Sequence, residues 1–350
     1  MKKVKFVVIP IVFLLLLFGL QQLLMPKYMD GVYDGAMPKE YYAEPKDHSV
    51  IFLGDCEVYE NFSPIALWRE YGISSYIRGG AQQLVWHSYY LLEDTLRYET
   101  PDTVVLSIFA MQYGEPKNEA YNRLNLDGMR LSLSKIKAAK ASATEGESTL
   151  SYILPILRFH DRWQELNTTD LQYYFGTKKV GHNGYLMKNE VKPVDYIPDG
   201  SKKPSYDFSS LAWEYLDKTR ELCEKNGINL VLIKAPTLWP AWYPEYETQI
   251  EDYAAKYGLT YFNMLESVEE IGLDWNTDTY DAGNHMNLPG AEKCARWIGG
   301  KLLELSSLPD LRDNAKVSAI WDKKIADYER MKEIQLAEIK AYGKAKTIIY

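Results

Sequence analysis

This chain has few cysteines, few histidines and no long basic block beyond its N-terminus. Its 350 residues include three cysteines and five histidines. The sequence contains no CxxC pair and no Cys/His cluster with the spacing of a metal site. It therefore predicts no metal and no other cofactor. The net charge is −8. Without a basic block, an acidic chain of this kind is not expected to bind nucleic acid.

One stretch alone is apolar enough for a membrane. Residues 6–25 carry no charge, and a helix needs roughly 20 apolar residues to cross a bilayer. Residues 1–5 carry three lysines, and the stretch ends without a small-residue cleavage site. We expect a single-pass signal anchor in the cell membrane, with the N-terminus in the cytoplasm and the main domain outside. A cleaved signal peptide is the alternative.

Strands and helices alternate along the rest of the chain. Short apolar runs at 49–53, 74–77, 103–109, 228–235 and 259–262 are typical of buried strands. Helical spacing is found at about 64–70, 82–98, 131–143, 150–166, 208–226, 246–257, 289–305 and 314–342. This alternation predicts an α/β domain with a parallel sheet covered by helices on both faces, a three-layer α/β/α sandwich. Ligands are expected at the carboxyl ends of the strands.

Composition divides the chain into a cytoplasmic tail, an anchor, a spacer, a domain and a helical extension. Their predicted bounds are 1–5, 6–25, 26–47, 48–310 and 311–350. Within the domain, residues 114–205 are less regular and are predicted to form an insertion or lid. The last helix is expected to pack on the domain; a helix that binds a partner or a membrane surface is the alternative.

A candidate nucleophile follows the first predicted strand. Gly54-Asp55-Cys56-Glu57 would form a turn that exposes the thiol above the sheet, with the amides of the next helix directed at it. A small core cysteine is the alternative. An odd number of cysteines in an exported protein leaves at least one thiol unpaired, but a disulfide between Cys56 and Cys294 stays possible and would abolish thiol chemistry.

A candidate base lies in the loop before the last helix of the domain. His285 is flanked there by Asp281, Asn287 and several glycines. An aspartate can orient one imidazole nitrogen while the other faces a nucleophile. We assign that role to Asp281, with Asp278 as the alternative. A surface histidine that caps the helix is the competing interpretation.

Together these segments resemble the SGNH (GDSL-type) hydrolase superfamily over about residues 48–305. Gly54-Asp55-Cys56 is similar to that family's first block, Gly-Asp-Ser, with cysteine in the place of serine. Gly79 is similar to the second-block glycine, and the Asp281 to His285 loop is similar to the last block. The segments 57–64, 67–73 and 281–287 are most similar to the membrane-anchored DltD-like and alginate-acetylation-like branch.

The chain departs from the family pattern at the oxyanion site. The third block, with its oxyanion-hole asparagine, is absent, and Ala110-Met-Gln112-Tyr113 stands there instead. The candidates for contacts to the oxyanion or the substrate are the amides of Cys56 and Gly79 and the side chains of Arg78, Gln82, Gln83, Gln112 and Asn287. For Arg78, a surface salt bridge is equally compatible with the sequence.

The resemblance implies an acyltransferase with a catalytic Cys56, His285 and Asp281. Cys56 would form an acyl-enzyme, His285 would act as base and then as acid, and a hydroxyl of a polysaccharide or a teichoic-acid-like polymer would accept the acyl group. A membrane-bound O-acyltransferase is the implied partner. The alternatives are an esterase of the same fold and a non-catalytic scaffold or polymer-binding subunit.

Overall fold

Five parallel strands form one twisted layer at the centre of the protein. The computed structural model describes residues 2–26, 35, 37–116, 118–176 and 178–348. Within them the strands run in the order β2-β1-β3-β4-β5. Their bounds are β1 Val50–Gly54, β2 Ser75–Gly79, β3 Thr103–Ser107, β4 Asn229–Lys234 and β5 Thr260–Asn263. The predicted α/β fold with a parallel sheet is confirmed.

Helices connect the strands and cover both faces of the sheet. They are α1 Lys2–Leu24, α2 Met37–Glu40, α3 Cys56–Tyr59, α4 Pro64–Tyr71, α5 Val85–Thr95, α6 Glu119–Leu126, α7 Leu133–Ser142, α8 Leu150–Ile153, α9 Ile156–Phe159, α10 Thr168–Tyr174, α11 Ser210–Asn226, α12 Pro244–Tyr257, α13 Val268–Ile271, α14 Leu288–Leu305 and α15 Ala315–Tyr342. Short 3₁₀ turns lie at Tyr41–Ala43, Phe109–Gln112 and His160–Gln164.

Neighbouring residues of each central strand enter different hydrophobic cores. In β1, Val50 and Phe52 pack with α4 and α14, whereas Ile51 and Leu53 pack with α5 and α11. Side chains of a strand alternate between its two faces, so burial of every position requires cover on both sides. This explains the continuous apolar runs in the sequence and gives the three layers of the domain.

The N-terminal helix lies against the domain at its carboxyl end. The Arg162 guanidinium donates a hydrogen bond to the Leu24 carbonyl at 3.0 Å, and α1 contacts α9 and α10. In the part of the chain that the structure describes, we find no helix with the length and apolar character needed to span a bilayer. The anchor over residues 6–25 and the location in the cell membrane stay predictions.

The segment assigned to a spacer is partly built into the domain. Residues 27–34 and 36 lie outside the described residues, but Met37 and Tyr41 are buried. The Tyr41 hydroxyl donates a hydrogen bond to Glu99 at 2.6 Å. The Arg78 guanidinium lies over the Tyr41 ring, 4.1 Å from its centre. Met37 and Tyr41 are therefore packed against the domain, ahead of the boundary at residue 48, which stays a prediction.

The region predicted as an insertion or lid supplies part of a core. Its helix α7 packs on α5 and buries Ala138 and Ala139. The single helix predicted at 150–166 is instead broken into α8, α9 and a 3₁₀ turn, because Pro155 lacks the N–H that a continuous helix requires. Further along, the Leu186 N–H donates to the Tyr59 carbonyl at 2.8 Å, which brings this region beside α3.

The last helix packs on the domain through an aromatic stack. Trp321 of α15 stacks on Trp68 of α4, with ring centroids 4.8 Å apart and an interplanar angle of 7°. Further along α15, the Tyr328 hydroxyl lies 2.9 Å from the Ser63 hydroxyl and donates to Glu292 at 3.1 Å. The extension is thus a part of the folded domain.

Trp321→Ala should lower the free energy of unfolding by about 3–5 kcal/mol, because truncation of a buried indole removes its contacts and leaves a cavity. Urea unfolding followed by tryptophan fluorescence measures the change. Ile320→Ala, on the exposed side of the same helix, is the matched control and should change stability by less than about 1 kcal/mol. Equal losses in the two variants would contradict the packed position of α15.

Candidate active site

The candidate nucleophile lies at the carboxyl end of β1, an inner strand of the sheet. Gly54 ends the strand at φ 149°, and a Cβ there would approach the Ser107 Cβ to 2.7 Å, so a glycine is required. Asp55 then caps α3, accepting a hydrogen bond from the Glu57 N–H at 3.1 Å. Cys56 is the first residue of α3, where a helix gives the backbone N–H no partner of its own.

A buried carboxylate holds the turn that carries Cys56. Glu57 Oε1 accepts a hydrogen bond from the Lys234 ammonium at 2.6 Å and another from the Thr237 hydroxyl. Its Oε2 accepts from the Ser107 hydroxyl at 3.0 Å and from the Ala235 N–H at 3.3 Å. Both charged groups are fully buried. The ion pair therefore ties α3 to the ends of β3 and β4.

The loop that carries His285 closes on itself before α14 begins. Thr279 pairs with Met286, and its hydroxyl donates to the His285 carbonyl at 2.9 Å. The chain reverses at Ala282 and Gly283, which have φ values of 64° and 94°. A hydrogen bond of 2.8 Å from the Met286 N–H to the Asn61 side chain joins the loop to the end of α3.

The imidazole of His285 pairs with a carboxylate beside the Cys56 thiol. Cys56 and His285 lie near enough that each shifts the pKa of the other. Asp281 Oδ2 is 2.6 Å from His285 Nδ1, and Asp281 Oδ1 accepts from the His285 N–H at 2.7 Å. Asp278 instead pairs with Lys293 at 2.7 Å. The structure thus brings Cys56, His285 and Asp281 together and turns Asp278 away from the imidazole.

A second carboxylate reaches the same nitrogen. Glu60 Oε2 lies 3.2 Å from His285 Nδ1 and accepts a hydrogen bond from the Tyr280 hydroxyl at 2.7 Å. The Tyr280 ring is nearly parallel to the imidazole, with centroids 6.0 Å apart. Neither residue was expected from the sequence; the one signal was that Glu60 stands four positions after Cys56, one helical turn away.

Burial and charge act together on the protons of this pair. Burial, with the nearby Asp55 carboxylate, raises the pKa of Cys56 to about 12, although His285 opposes the rise. Burial by itself would lower the pKa of His285, but the Glu60 carboxylate, Cys56 and the Asp281 hydrogen bond raise it well above its usual value. Burial and the neighbouring Glu57 raise the pKa of Asp55 to about 7.

Four of the side chains predicted to contact the oxyanion or the substrate bind other groups of the protein. Arg78 is buried on the opposite face of β2, where it pairs with Asp94 at 3.2 Å, because side chains along a strand alternate. The Gln83 amide bonds to the Arg78 carbonyl and Ser88. Asn287 caps α14 and bonds to the Thr277 carbonyl, and the Gln112 amide bonds to the Phe109 carbonyl within its own turn.

Gly79 and Gln82 keep positions compatible with their predicted contacts. Gly79 is the register partner of Gly54, and a Cβ there would lie 2.9 Å from Val58, so the glycine allows α3 to approach β2. Gln82 is exposed and lines a small cavity of about 110 Å³ with Tyr113 and Asn118. Burial raises the pKa of Tyr113, and the charges of Asp55 and Cys56 raise it further. This tyrosine therefore lies near Cys56.

All three cysteines carry free thiols in the structure; a disulfide between Cys56 and Cys294 is not formed. Cys223 and Cys294 are buried in the two cores, whereas Cys56 is half-buried. Among the described residues, no group of three or more histidine, cysteine or acidic side chains is placed to hold a metal ion.

Comparisons with known proteins give similarity in structure alone. Neither a family model nor a curated protein matches the sequence. The chain is similar to the crystal structure of a GDSL-like lipase from Bacteroides thetaiotaomicron, with a TM-score of 0.38, 12% identity, and coverage of 78% of this chain and 100% of that one. It is also similar to a proposed acylhydrolase from Bacteroides fragilis, with a TM-score of 0.37, 12% identity, and coverage of 76% and 94%. At these values the likeness concerns the path of the chain and not the activity.

Lys234→Met should lower the free energy of unfolding by about 3–5 kcal/mol, because it leaves Glu57 as an unpaired buried charge. Urea unfolding measures the loss, and the double variant Glu57→Gln/Lys234→Met should lose less. Lys218→Met, which removes one partner of the ion pair between Lys218 and Glu214 on the protein surface, is the control and should cost less than about 1 kcal/mol. A loss at Lys234 no larger than that at Lys218 would contradict the role assigned to the buried pair.

Proposed function

We propose that the chain is an SGNH-type acyl-transfer enzyme that uses Cys56 as its nucleophile. The observation that carries this proposal is the pairing of His285 Nδ1 with Asp281 at 2.6 Å, beside the Cys56 thiol whose pKa His285 affects. A nucleophile, a base in hydrogen-bond reach and a group that orients the base form the constellation used for covalent acyl chemistry on unrelated folds.

The reaction then has two steps. The Cys56 sulfur attacks the carbonyl carbon of an acyl donor while His285 takes the thiol proton; the bond to the leaving oxygen breaks, and His285 returns the proton to that oxygen. In the second step an acceptor hydroxyl attacks the thioester and His285 takes its proton; the carbon–sulfur bond breaks, and His285 passes that proton to the sulfur to restore the thiol. The amides of Cys56 and Gly79, and the Gln82 side chain, are the donors we propose for the oxyanion.

A polymer hydroxyl is the acceptor that we propose, on the cell-wall or exopolysaccharide side of the membrane. The support is the resemblance of segments 57–64, 67–73 and 281–287 to the DltD-like and alginate-acetylation-like branch, and the choice of a thioester, which transfers its acyl group to a hydroxyl more readily than an oxygen ester does. Hydrolysis is the competing outcome, since the His285 side chain is 20% exposed and water can reach it.

A membrane-bound O-acyltransferase is the partner that we propose as the source of the acyl group. What supports a hydrophobic partner is a set of apolar side chains that the structure leaves exposed, three of them on elements that contact α1. These exposed residues are Leu131, Leu133, Leu157, Trp163, Leu171 and Phe175. Where such residues form one large patch, they mark contact with a protein or a membrane.

Incubation of the full chain with p-nitrophenyl acetate should give one acetyl adduct by intact-mass spectrometry. The adduct should be absent in Cys56→Ala and retained in Cys223→Ala, the matched control with a buried thiol in the other core. His285→Ala should slow adduct formation by roughly 10²- to 10⁴-fold.

Addition of a short oligosaccharide then separates transfer from hydrolysis. An acetylated oligosaccharide supports the acyltransferase, whereas free acetate alone supports an esterase. An unchanged adduct in Cys56→Ala would contradict the assignment of the nucleophile, and the absence of an adduct from the unaltered protein would leave a non-catalytic, polymer-binding role.

A further inference from the structure

His285 faces more negative charge than a nucleophile–histidine–aspartate site requires. Two carboxylates, Asp281 and Glu60, converge on its Nδ1 at 2.6 Å and 3.2 Å. A single N–H can be directed along one short hydrogen bond, and Asp281, at the shorter distance, receives it. The geometry therefore leaves Glu60 without a role in orienting the ring.

The two carboxylates differ in origin and in burial. Asp281 belongs to the loop of His285 and its side chain is 25% exposed, whereas the Glu60 side chain is 7% exposed. Glu60 also stands on the helix of the nucleophile, and its N–H donates to the Cys56 carbonyl at 3.2 Å. A buried charge is screened less by solvent than an exposed one, so Glu60 acts strongly on both the imidazole and the thiol.

We propose that Glu60 acts through His285 and Cys56 as a buried carboxylate that determines the pH at which this pair becomes a nucleophile. The inference rests on the proposed function, because it treats the thiol and imidazole as reacting groups. Tyr280 holds the Glu60 carboxylate in place through its hydroxyl, 2.7 Å from Oε2.

The sign of the effect follows from the charges. A negative charge beside Nδ1 stabilises the imidazolium, and the same charge repels a thiolate; Glu60 therefore raises the pKa of His285 and the pKa of Cys56. Removal of the Glu60 charge should therefore lower both pKa values, so that the attacking sulfur forms at a lower pH. Other titratable groups that face the pair are Asp55, Asp281, Tyr113 and Tyr280. Lys188 lies 5.5 Å from the centre of the Tyr280 ring.

The test is the rate of iodoacetamide alkylation of Cys56 against pH, measured on the full chain by mass spectrometry of the Cys56 peptide. In Glu60→Gln the midpoint should move to lower pH, by roughly 1 unit, since removal of a nearby negative charge lowers the pKa of a thiol. Asp278→Asn removes a carboxylate of the same loop that does not contact the imidazole, and its midpoint should equal that of the unaltered protein.

A purely structural Glu60 would lower stability and leave the midpoint in place, and that result would overturn the proposal. Asp281→Asn provides a second test if Glu60→Gln does not fold. With Glu60 still present, the His285 titration followed by NMR should stay above the ordinary histidine value of about 6.5; a fall to that value would also overturn it. Alkylation needs no acyl donor, so a midpoint shift without any acetyl adduct would separate the failure of the proposed reaction from that of the role of Glu60.

Discussion

The arrangement of the candidate site depends on the buried hydrogen bonds and the ion pair of the Glu57 carboxylate. It lies one residue after Cys56, and its two oxygens receive hydrogen bonds from Ser107 at the end of β3 and from Lys234 and Thr237 at the end of β4. A buried carboxylate that lost these partners would be far too costly to keep ionised. The ends of three strands are consequently held in one relative position, and the thiol is held with them.

The short helix α3 and its flanking residues connect this anchor to the base. Cys56 and Glu57 lie at its start. Glu60 and Asn61 follow at its end, where Glu60 lies beside His285 and the Asn61 side chain accepts a hydrogen bond from the Met286 N–H. The intervening Val58 packs under the turn against β2. A displacement of this one helical turn would therefore disturb the Cys56 thiol, the Glu60 carboxylate beside His285 and the attachment of the His285 loop together.

Local signals in the sequence predicted the strands, the thiol and the histidine loop, because each is encoded in a few consecutive residues. The contacts that join them could not be predicted, since Glu57 meets Lys234 across 177 positions and no local spacing connects such residues. Arg78 was assigned to the substrate because it adjoins Gly79, but alternation along β2 turns its side chain to the other face, where Asp94 pairs with it. Proximity in sequence was a poor guide there to proximity in space.

The position of the covering elements near the end of the chain has a consequence for biosynthesis. Cys56 leaves the ribosome long before His285. Trp321 emerges later still, and it stacks on Trp68, which lies early in the domain. Domains fold as units once their parts are available, so the thiol meets its base only when almost all of the chain has been made. A product of early termination would keep Cys56 and lack both His285 and the covering helix, and it could not carry out a reaction at Cys56 that needs His285.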